Sequence, residues 1–231
     1  MTLDLEVVRG NVAAARSAID EAAARAGRPA GGVELLAATK YVAAEDMPVL
    51  AEAGIELVGE NRTDALAAKQ ALYLERFSWD FIGALQSRKA RDVVDRVRLV
   101  HAVESMSAAE QLARRAERDV ACLIEVGIAG ESQKAGVAPD ELEAFLDACV
   151  PLERLQVEGL MTMPPLADDP ELSRPHFAAL RELAASLEGR WAGRFTFGRL
   201  SMGTSQDFTV AVEEGATIVR LGSVLYSRSA E

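Results

Sequence analysis

The sequence contains few of the side chains from which metal and redox sites are usually built. Among its 231 residues there are two cysteines and two histidines. Cys122 and Cys149 do not form a CxxC pair, so we expect two reduced, mostly buried thiols rather than a disulfide framework. His101 and His176 are expected to be structural, and two histidines exclude a histidine-rich metal site. We therefore predict no metal site.

Positive charge is also scarce. The chain has 25 lysines and arginines against 36 aspartates and glutamates, and its formal net charge is −11 at pH 7. A protein that binds nucleic acid or an anionic membrane surface needs an excess of basic side chains on the contact surface. The charge balance argues against both partners, although a local pocket can still be positive and bind a small anion.

Long uninterrupted apolar runs are missing. Residues 1–27 alternate apolar and charged side chains at helical spacing and lack the apolar centre of a signal peptide. Elsewhere no stretch approaches the length that spans a bilayer. We therefore expect a leading helix over residues 1–27, no membrane partner and a cytoplasmic location.

Short apolar runs do alternate with longer amphipathic segments along the rest of the chain. Strands that alternate with helices pair in parallel, and near-continuous apolar strands are buried on both faces. About eight such units close a (β/α)8 TIM barrel, and an open doubly wound sheet is the alternative. We predict one domain over residues 1–231, with the barrel over 33–226. The runs are "VELLAATK", "IELVG", "WDFIGAL", "RLVHAV", "ACLIEVGI", "LQVEGLMTM", "FTFGRLSM" and "ATIVRLG".

Local signals indicate where some helices begin and end. Ser107 precedes Glu110 by three residues, which predicts a capping box at the start of one helix. Gly189 follows another amphipathic segment and predicts its end, because glycine favours the position just past a helix.

Polar residues follow the carboxyl ends of the predicted strands, where barrels of this type carry their chemistry. Lys40 ends the first strand, "SMGTSQDF" follows the seventh, and Gly222 and Ser223 follow the eighth. Small residues, hydroxyls and backbone N–H groups before a helix can hold a phosphate. The alternative is that Thr204 or Ser205 only caps the following helix.

Lys40 places an amine at the end of a buried strand. One interpretation is that it reaches solvent or pairs with a carboxylate such as Glu60. The other is an amine desolvated enough to lose its proton and attack an aldehyde. An aldehyde that also carries a phosphate would suit a lysine opposite a phosphate cradle, and pyridoxal phosphate (PLP) is such a compound. A Schiff-base aldolase acting on a sugar phosphate is a further alternative.

An ordered set of segments resembles the pyridoxal phosphate homeostasis proteins, a PLP-binding family similar to the N-terminal barrel domain of alanine racemase. The resemblance extends from about Val33 to Tyr226. Each segment is a weak signal alone, but their order and spacing together are specific. The segments are "AATKY", "GENR", "WDFIGALQSRK", "IEVGIAGESQKAG", "GLMTMPP" and "SMGTSQDFTVAVEEGATIVRLGSVLY". One departure is Asp80, which stands where the family commonly has histidine.

The resemblance implies a set of cofactor-binding residues and no separate catalytic residue. Lys40 would form the Schiff base with PLP, and Asn61 would lie near the ring unless it only caps the helix that follows. Arg220 would face the pyridine nitrogen. The other implied positions are Ser205, Gly222 and Ser223 with Thr204 for the phosphate, and Met202 and Gly203 for the pocket wall.

The resemblance gives Arg220 a mechanistic consequence. A guanidinium remains protonated and can only donate hydrogen bonds, so it would hold the pyridine nitrogen as an unprotonated acceptor. A ring without that proton is a poorer electron sink for a carbanion. Such a site would hold PLP while offering less of the carbanion chemistry of PLP enzymes.

The resemblance also separates a carrier from an enzyme. Alanine racemase uses two bases, a lysine and a tyrosine. The tyrosine comes from a second domain of the partner subunit, and we expect no such domain after the eighth strand here. Tyr41 is expected on the opposite side of the strand from Lys40 if the extended geometry continues that far. We therefore expect a non-catalytic PLP-binding protein in vitamin B6 homeostasis, with an indirect effect on amino-acid and keto-acid pools. The alternative is a PLP-dependent amino-acid racemase or lyase with weak activity.

Partners follow from the same resemblance. PLP is the expected small-molecule ligand, and PLP-dependent apoenzymes are candidate recipients. Since the racemase's second domain supplies many of its dimer contacts, we expect a monomer. Lys134, in the loop "GESQKAG", is a candidate for binding PLP transiently or handing it on.

Overall fold

Eight parallel strands close into a barrel in chain order in the computed structural model, which describes residues 3–130 and 135–227. Each predicted apolar run overlaps one strand. The last strand pairs with the first, with Leu36 opposite Arg220. The closed barrel confirms the predicted TIM-barrel fold and excludes the open sheet. The strands are β1 (Glu34–Ala38), β2 (Leu57–Glu60), β3 (Ser78–Phe81), β4 (Leu99–Val103), β5 (Val120–Glu125), β6 (Leu155–Met161), β7 (Arg199–Ser201) and β8 (Ile218–Leu221).

Helices surround the barrel and fill most of the connections. They are α1 (Leu5–Arg25), α2 (Met47–Glu52), α3 (Thr63–Tyr73), α4 (Met106–Arg115), α5 (Leu142–Cys149), α6 (Arg174–Leu187), α7 (Phe208–Glu213) and α8 (Ser223–Tyr226). Short 3-10 segments lie at Ala44–Asp46, Leu74–Arg76, Ser87–Asp92 and Pro170–Ser173. Within residues 3–130 and 135–227, none of the helices combines the length and apolar character needed to cross a membrane.

The leading helix α1 packs beside the two helices that follow β7 and β8. Its first turn is capped by Asp4, whose carboxylate accepts hydrogen bonds from the backbone N–H groups of Glu6 and Val7. Asn11 of α1 contacts the end of α8, where its side-chain amide donates to the carbonyls of Leu225 (3.2 Å) and Ser227 (2.9 Å). The helix therefore supports the end of α8.

Two helix ends test the local sequence signals. Helix α4 is capped by Ser105, whose hydroxyl accepts from the backbone N–H of Ala108 at 3.3 Å. The predicted capping box at Ser107 is therefore wrong, because the helix begins two residues earlier, where Met106 packs against the core. Gly189 adopts φ +93° two residues after α6 ends, which confirms that prediction.

Apolar residues pack in two layers that the strands separate. The larger layer lies between the strands and the helices, and a smaller one fills the barrel interior. Because side chains alternate along a strand, interior positions recur every second residue. Ile218 is in the interior layer, so Arg220 on the same strand also points inward. The interior layer consists of Leu36, Leu99, Ala102, Leu123, Met161 and Ile218.

Candidate functional site

Lys40 lies at the mouth of the barrel, two residues after β1 ends. Its side chain is exposed, and its Nζ is 5.0 Å from the centroid of the Tyr41 ring. Tyr41 is itself 88% exposed. The expectation that Tyr41 points to the other side of the strand required continued extended geometry, and this condition is not met because β1 ends at Ala38 and the chain turns.

Glu60 does not pair with Lys40. Its buried carboxylate forms an ion pair with Lys69 of α3 and accepts a hydrogen bond from the Thr39 hydroxyl at 2.8 Å. Lys69 also donates to the Thr39 carbonyl at 2.8 Å. The interpretation of Lys40 as an ion-pair partner of Glu60 is therefore wrong. Within the described part of the chain, Lys40 has no carboxylate partner.

The positions that flank Lys40 come from the two neighbouring strands. Ala38 pairs with Gly59, so Lys40 and Asn61 leave adjacent strands at the same level. On the other side, a Cβ placed on Gly222 would lie 3.8 Å from the Cβ of Ala38. Barrel closure therefore brings Lys40 between Asn61 and the residues that follow β8.

Asn61 does not cap the following helix. Helix α3 begins at Thr63 with Arg62 at its N-cap, and no side chain caps it. The capping interpretation of Asn61 is therefore wrong. Its side chain is exposed at the mouth, next to Lys40 in the strand register.

Arg220 extends from β8 into the barrel interior. Its Nη1 donates to the carbonyl (2.8 Å) and to the hydroxyl (2.6 Å) of Ser201, and its Nη2 donates to the carbonyl of Thr162 at 3.1 Å. Burial lowers the pKa of the Arg220 guanidinium to about 10, with Glu125 and then Asp207 acting in the opposite direction. The cation still carries its proton at neutral pH.

The hydrogen-bonding capacity of Arg220 is only partly used. No carboxylate of the described residues forms an ion pair with it, and its Nε has no partner among them. Buried charges are normally paired with an opposite charge. An acceptor on a bound molecule would complete these contacts, so the residue fits the ring nitrogen of PLP.

Backbone N–H groups after β8 converge on a single oxygen. The N–H groups of Gly222 and Val224 both donate to the Ser205 hydroxyl oxygen, at 3.0 and 3.3 Å. Converging backbone donors of this kind form anion-binding concavities. Ser223 lies between the two donors in sequence and its side chain is exposed. Three of the four predicted phosphate-binding positions, Ser205, Gly222 and Ser223, are thus in one place, which fits a phosphate group.

Gly203 allows the loop after β7 to pack closely against α7 and to accept a hydrogen bond from β8. Its φ of +90° is one that side-chain-bearing residues rarely adopt, and an added Cβ would lie 2.5 Å from the Cβ of Ala211. Its carbonyl accepts from the Arg220 N–H at 3.0 Å. Met202 points the other way: it is fully buried in the layer between strands and helices. Met202 can therefore contribute to a pocket wall only through its backbone.

Thr204 and Ser205 do not cap helix α7. The helix begins at Phe208 with Asp207 at its N-cap, and no side chain caps it. The Asp207 carboxylate instead accepts from the backbone N–H (2.7 Å) and hydroxyl (3.2 Å) of Thr204. The capping interpretation of the "SMGTS" segment is therefore wrong, and the Ser205 hydroxyl faces the residues after β8.

The sequence reasoning missed the polar residues inside the barrel. Asp80, His101 and Ser201 lie on β3, β4 and β7, are completely buried and are joined by hydrogen bonds. The signal for them was a polar side chain at an interior position of an apolar strand.

Two acidic residues, Glu104 just after β4 and Glu125 at the end of β5, lie at the carboxyl ends of neighbouring strands. Burial, followed by the nearby Glu104 carboxylate, raises the pKa of the Glu125 carboxyl, while Arg220 acts to lower it. Across residues 3–130 and 135–227, no group of three or more His, Cys, Asp or Glu side chains could hold a metal ion. Lys134, predicted to bind PLP transiently, lies outside the described residues.

Known families and curated proteins provide sequence matches over most of the chain. Residues 10–230 match the family described as alanine racemase, N-terminal domain. A pyridoxal phosphate homeostasis protein of Aquifex aeolicus is 39% identical over 214 residues, which are 90% of this chain and 92% of the relative. The protein of the same name from Pseudomonas aeruginosa is 33% identical over 226 residues, covering 96% of both chains.

Solved structures extend the comparison to three dimensions. PipY of Synechococcus elongatus, solved with PLP bound, superposes with a TM-score of 0.82 at 32% identity, over 95% of this chain and 100% of that one. Alanine racemase from Corynebacterium glutamicum superposes with a TM-score of 0.73 at 18% identity, over 100% of this chain and 64% of that one. At that identity the second likeness concerns the fold alone.

Proposed function

The chain belongs to the pyridoxal phosphate homeostasis protein family, and from this premise we propose that it binds PLP, without catalytic turnover, in cytoplasmic vitamin B6 homeostasis. The observation that carries the proposal is Arg220, a buried cation without an ion-pair partner and with an unpartnered Nε among the described residues. The neighbouring arrangement of Lys40 and the converging N–H groups of Gly222 and Val224 supports it. The PLP-bound PipY structure supports the choice of ligand.

Each site residue would have a separate task. Bound PLP supplies an aldehyde carbon that an amine can attack. Lys40 would hold PLP covalently at that carbon through its side-chain amine. Ser205, Gly222 and Ser223, with Thr204, would hold the phosphate through hydroxyl and backbone N–H groups. Asn61 would lie beside the ring.

Arg220 supports a binding role over a catalytic one. Its guanidinium can only donate, so it would keep the ring nitrogen as an unprotonated acceptor and limit the ring's capacity to stabilise negative charge. Tyr41 contacts Lys40 and therefore shares its side of the site. Exchange of an α-proton from two opposite faces would need a second base elsewhere.

The remaining proposals concern the chain as a unit. Residues 1–231 would act as one PLP-binding domain, with α1 supporting the helices of the phosphate site. The protein would be a monomer, for which light scattering should give a mass close to 24.7 kDa. PLP-dependent apoenzymes would be the recipients of the cofactor, and amino-acid and keto-acid pools would respond indirectly.

The proposal is tested by the absorbance of the purified protein after addition of PLP. We expect a yellow band that borohydride removes, with PLP then attached irreversibly to the peptide containing Lys40. Lys40→Ala should lose the band because no amine remains at the mouth next to Asn61. Lys89→Ala is the matched control, since Lys89 is another exposed lysine and follows β3.

Three results would count against the proposal. A wild-type protein that takes up no PLP would overturn the binding function. A Lys40→Ala protein that keeps the full band and the borohydride-stable attachment would show that another lysine is modified. Loss of the band in Lys89→Ala as well would mean that the effect is not specific to Lys40.

A further inference from the structure

A continuous chain of hydrogen bonds crosses the barrel interior beneath Arg220. Arg220 Nη1 lies 2.6 Å from the Ser201 hydroxyl oxygen, which lies 2.8 Å from Nδ1 of His101. Nε2 of His101 lies 3.0 Å from Oδ2 of Asp80. Asp80 in turn accepts from Nε and Nη2 of Arg98, at 3.0 and 2.8 Å. The chain joins β8, β7, β4 and β3.

For a neutral His101 ring, the donors and acceptors of this chain can be arranged in only one consistent way. Asp80 is ionised, because its hydrogen bonds with Arg98 and His101 outweigh burial and lower its pKa. An ionised carboxylate only accepts, so Nε2 of His101 must carry the proton. In a neutral ring Nδ1 then accepts from the Ser201 hydroxyl. The Ser201 oxygen, for its part, accepts from Arg220.

The charge state of His101 follows from the groups around it. The charged groups that face the ring are Asp80 from β3, Arg98 just before β4 and Arg220 from β8. Burial lowers the pKa of the His101 imidazole, and the two arginines act in the same direction against Asp80. The ring is therefore neutral at pH 7, the state for which the hydrogen-bond arrangement is unique.

The chain ends on the residue that has unused donors. Three hydrogen bonds engage Nη1 and Nη2 of Arg220 and so determine the plane of the guanidinium. Hydrogen bonds within a buried polar network restrict the geometry of the side chains that make them. Without the Ser201 hydroxyl, Nη1 would keep only the Ser201 carbonyl and the guanidinium would have more freedom to tilt.

We propose that Ser201, His101 and Asp80 are positioning residues that hold the guanidinium of Arg220, so that its unpartnered N–H groups are available to the ring nitrogen of PLP. This inference rests on the proposed function. None of the three residues needs to contact PLP. Their effect would reach the ligand through the orientation of Arg220 alone.

The first test uses the PLP-free protein, so it does not depend on ligand binding. The chain contains only two histidines, and nitrogen-15 NMR of the rings can therefore be assigned with a single His176→Gln variant. We expect His101 at pH 7 to be neutral and protonated on Nε2. A charged ring, or one protonated on Nδ1, would overturn the inference.

The second test measures PLP affinity and the absorbance maximum of the bound form. Ser201→Ala removes a hydrogen bond to a charged group, so we expect affinity to fall about tenfold and the maximum to shift. Ser201→Thr keeps the hydroxyl and should restore both. Asp80→Asn should resemble Ser201→Ala, because an amide can donate to His101 and remove the preference for the Nε2–H form.

Glu34→Gln is the matched control for the Asp80 variant. Glu34 accepts from the same Arg98 guanidinium, at 2.6 and 3.0 Å, but has no contact with His101. It should leave the PLP spectrum and affinity unchanged.

Wild-type affinity and spectrum in folded Ser201→Ala and Asp80→Asn would overturn the positioning role while leaving the Lys40 result intact. Failure of the wild type to bind PLP would overturn the function instead, and the NMR test would still decide the state of His101.

Discussion

Single buried side chains in the barrel interior are held in defined protonation states by their neighbours. Burial lowers the pKa of His101 below its ordinary value of 6.5. The unfolded chain would take up a proton there as the pH falls through 6.5, while the folded protein would not. Protons bound more tightly by the unfolded state reduce stability, so this group destabilises the fold as the pH decreases.

This effect predicts a pH-dependent difference between the wild type and His101→Gln. Between pH 7 and pH 5 the wild type should lose more of its free energy of unfolding than the variant, by at most about 1.4 kcal/mol for each pH unit below 6.5. Urea denaturation at the two pH values measures it. The raised pKa of Glu125 gives an opposite contribution, but it is common to both proteins and cancels in the difference.

The control for this comparison is the other histidine. His176→Gln removes a half-buried side chain on α6 and should retain the wild-type dependence on pH. Parallel pH profiles for the wild type and His101→Gln would contradict the prediction, since they would mean that His101 titrates equally in the folded and unfolded states.

Between elements, a buried ion pair ties the end of β1 to β2 and α3. Glu60 of β2 is completely buried and pairs with Lys69 of α3, and both side chains contact Thr39. Thr39 immediately precedes Lys40. The pair therefore anchors the backbone from which the lysine at the mouth extends, even though neither charge contacts Lys40.

This arrangement predicts that the two charges depend on each other. Lys69→Met should cost about 3–5 kcal/mol of unfolding free energy, because Glu60 would remain buried without a partner. Adding Glu60→Gln should recover part of that loss, since no unpaired charge remains. Chemical denaturation of both variants measures the free energies. Additive losses in the double variant would contradict the coupling.

An exposed ion pair on the same helix provides the comparison. Arg62 and Asp64 are paired at 2.6 Å at the start of α3, and both side chains are largely exposed. Solvent screens such pairs, so Arg62→Ala should leave the unfolding transition close to that of the wild type. A loss as large as that of Lys69→Met would indicate that α3 is sensitive to any substitution.

In the whole molecule, the barrel brings charged side chains and backbone donors from distant parts of the chain together at one end. The protein is acidic overall, yet Lys40 and Arg220 introduce two cationic groups toward the same end of the barrel. The converging N–H groups of Gly222 and Val224 add donors for an anion. The local charge of the site is therefore independent of the net charge of −11.

For the protein as a whole we predict PLP binding without turnover. The PLP-loaded protein in deuterated water should exchange the α-proton of alanine no faster than free PLP does, because Arg220 would leave the ring nitrogen unprotonated. Proton NMR of the alanine signal measures the exchange. Exchange that is faster than free PLP and is lost in Lys40→Ala would contradict the prediction and favour a weak racemase or lyase.

The fold class and the approximate positions of the eight strands follow from local sequence patterns. Each strand is a local apolar run, and the helices between them have their own periodicity, so neighbouring residues carry this information. The resemblance also indicated Lys40, Arg220 and the phosphate segments, and the structure brings these residues to one end of the barrel. Their roles toward PLP stay predictions for the experiments above.

Which polar groups contact each other depends on the tertiary structure. Lys69 rather than Lys40 pairs with Glu60, and Ser205 contacts Gly222 rather than capping its own helix. The chain from Asp80 through His101 to Arg220 depends on barrel closure and strand register. These contacts join residues 9 to 100 positions apart, and no local pattern specifies such pairings. The hydrogen bond between His101 of β4 and Ser201 of β7 crosses the interior and forms only when the barrel has assembled.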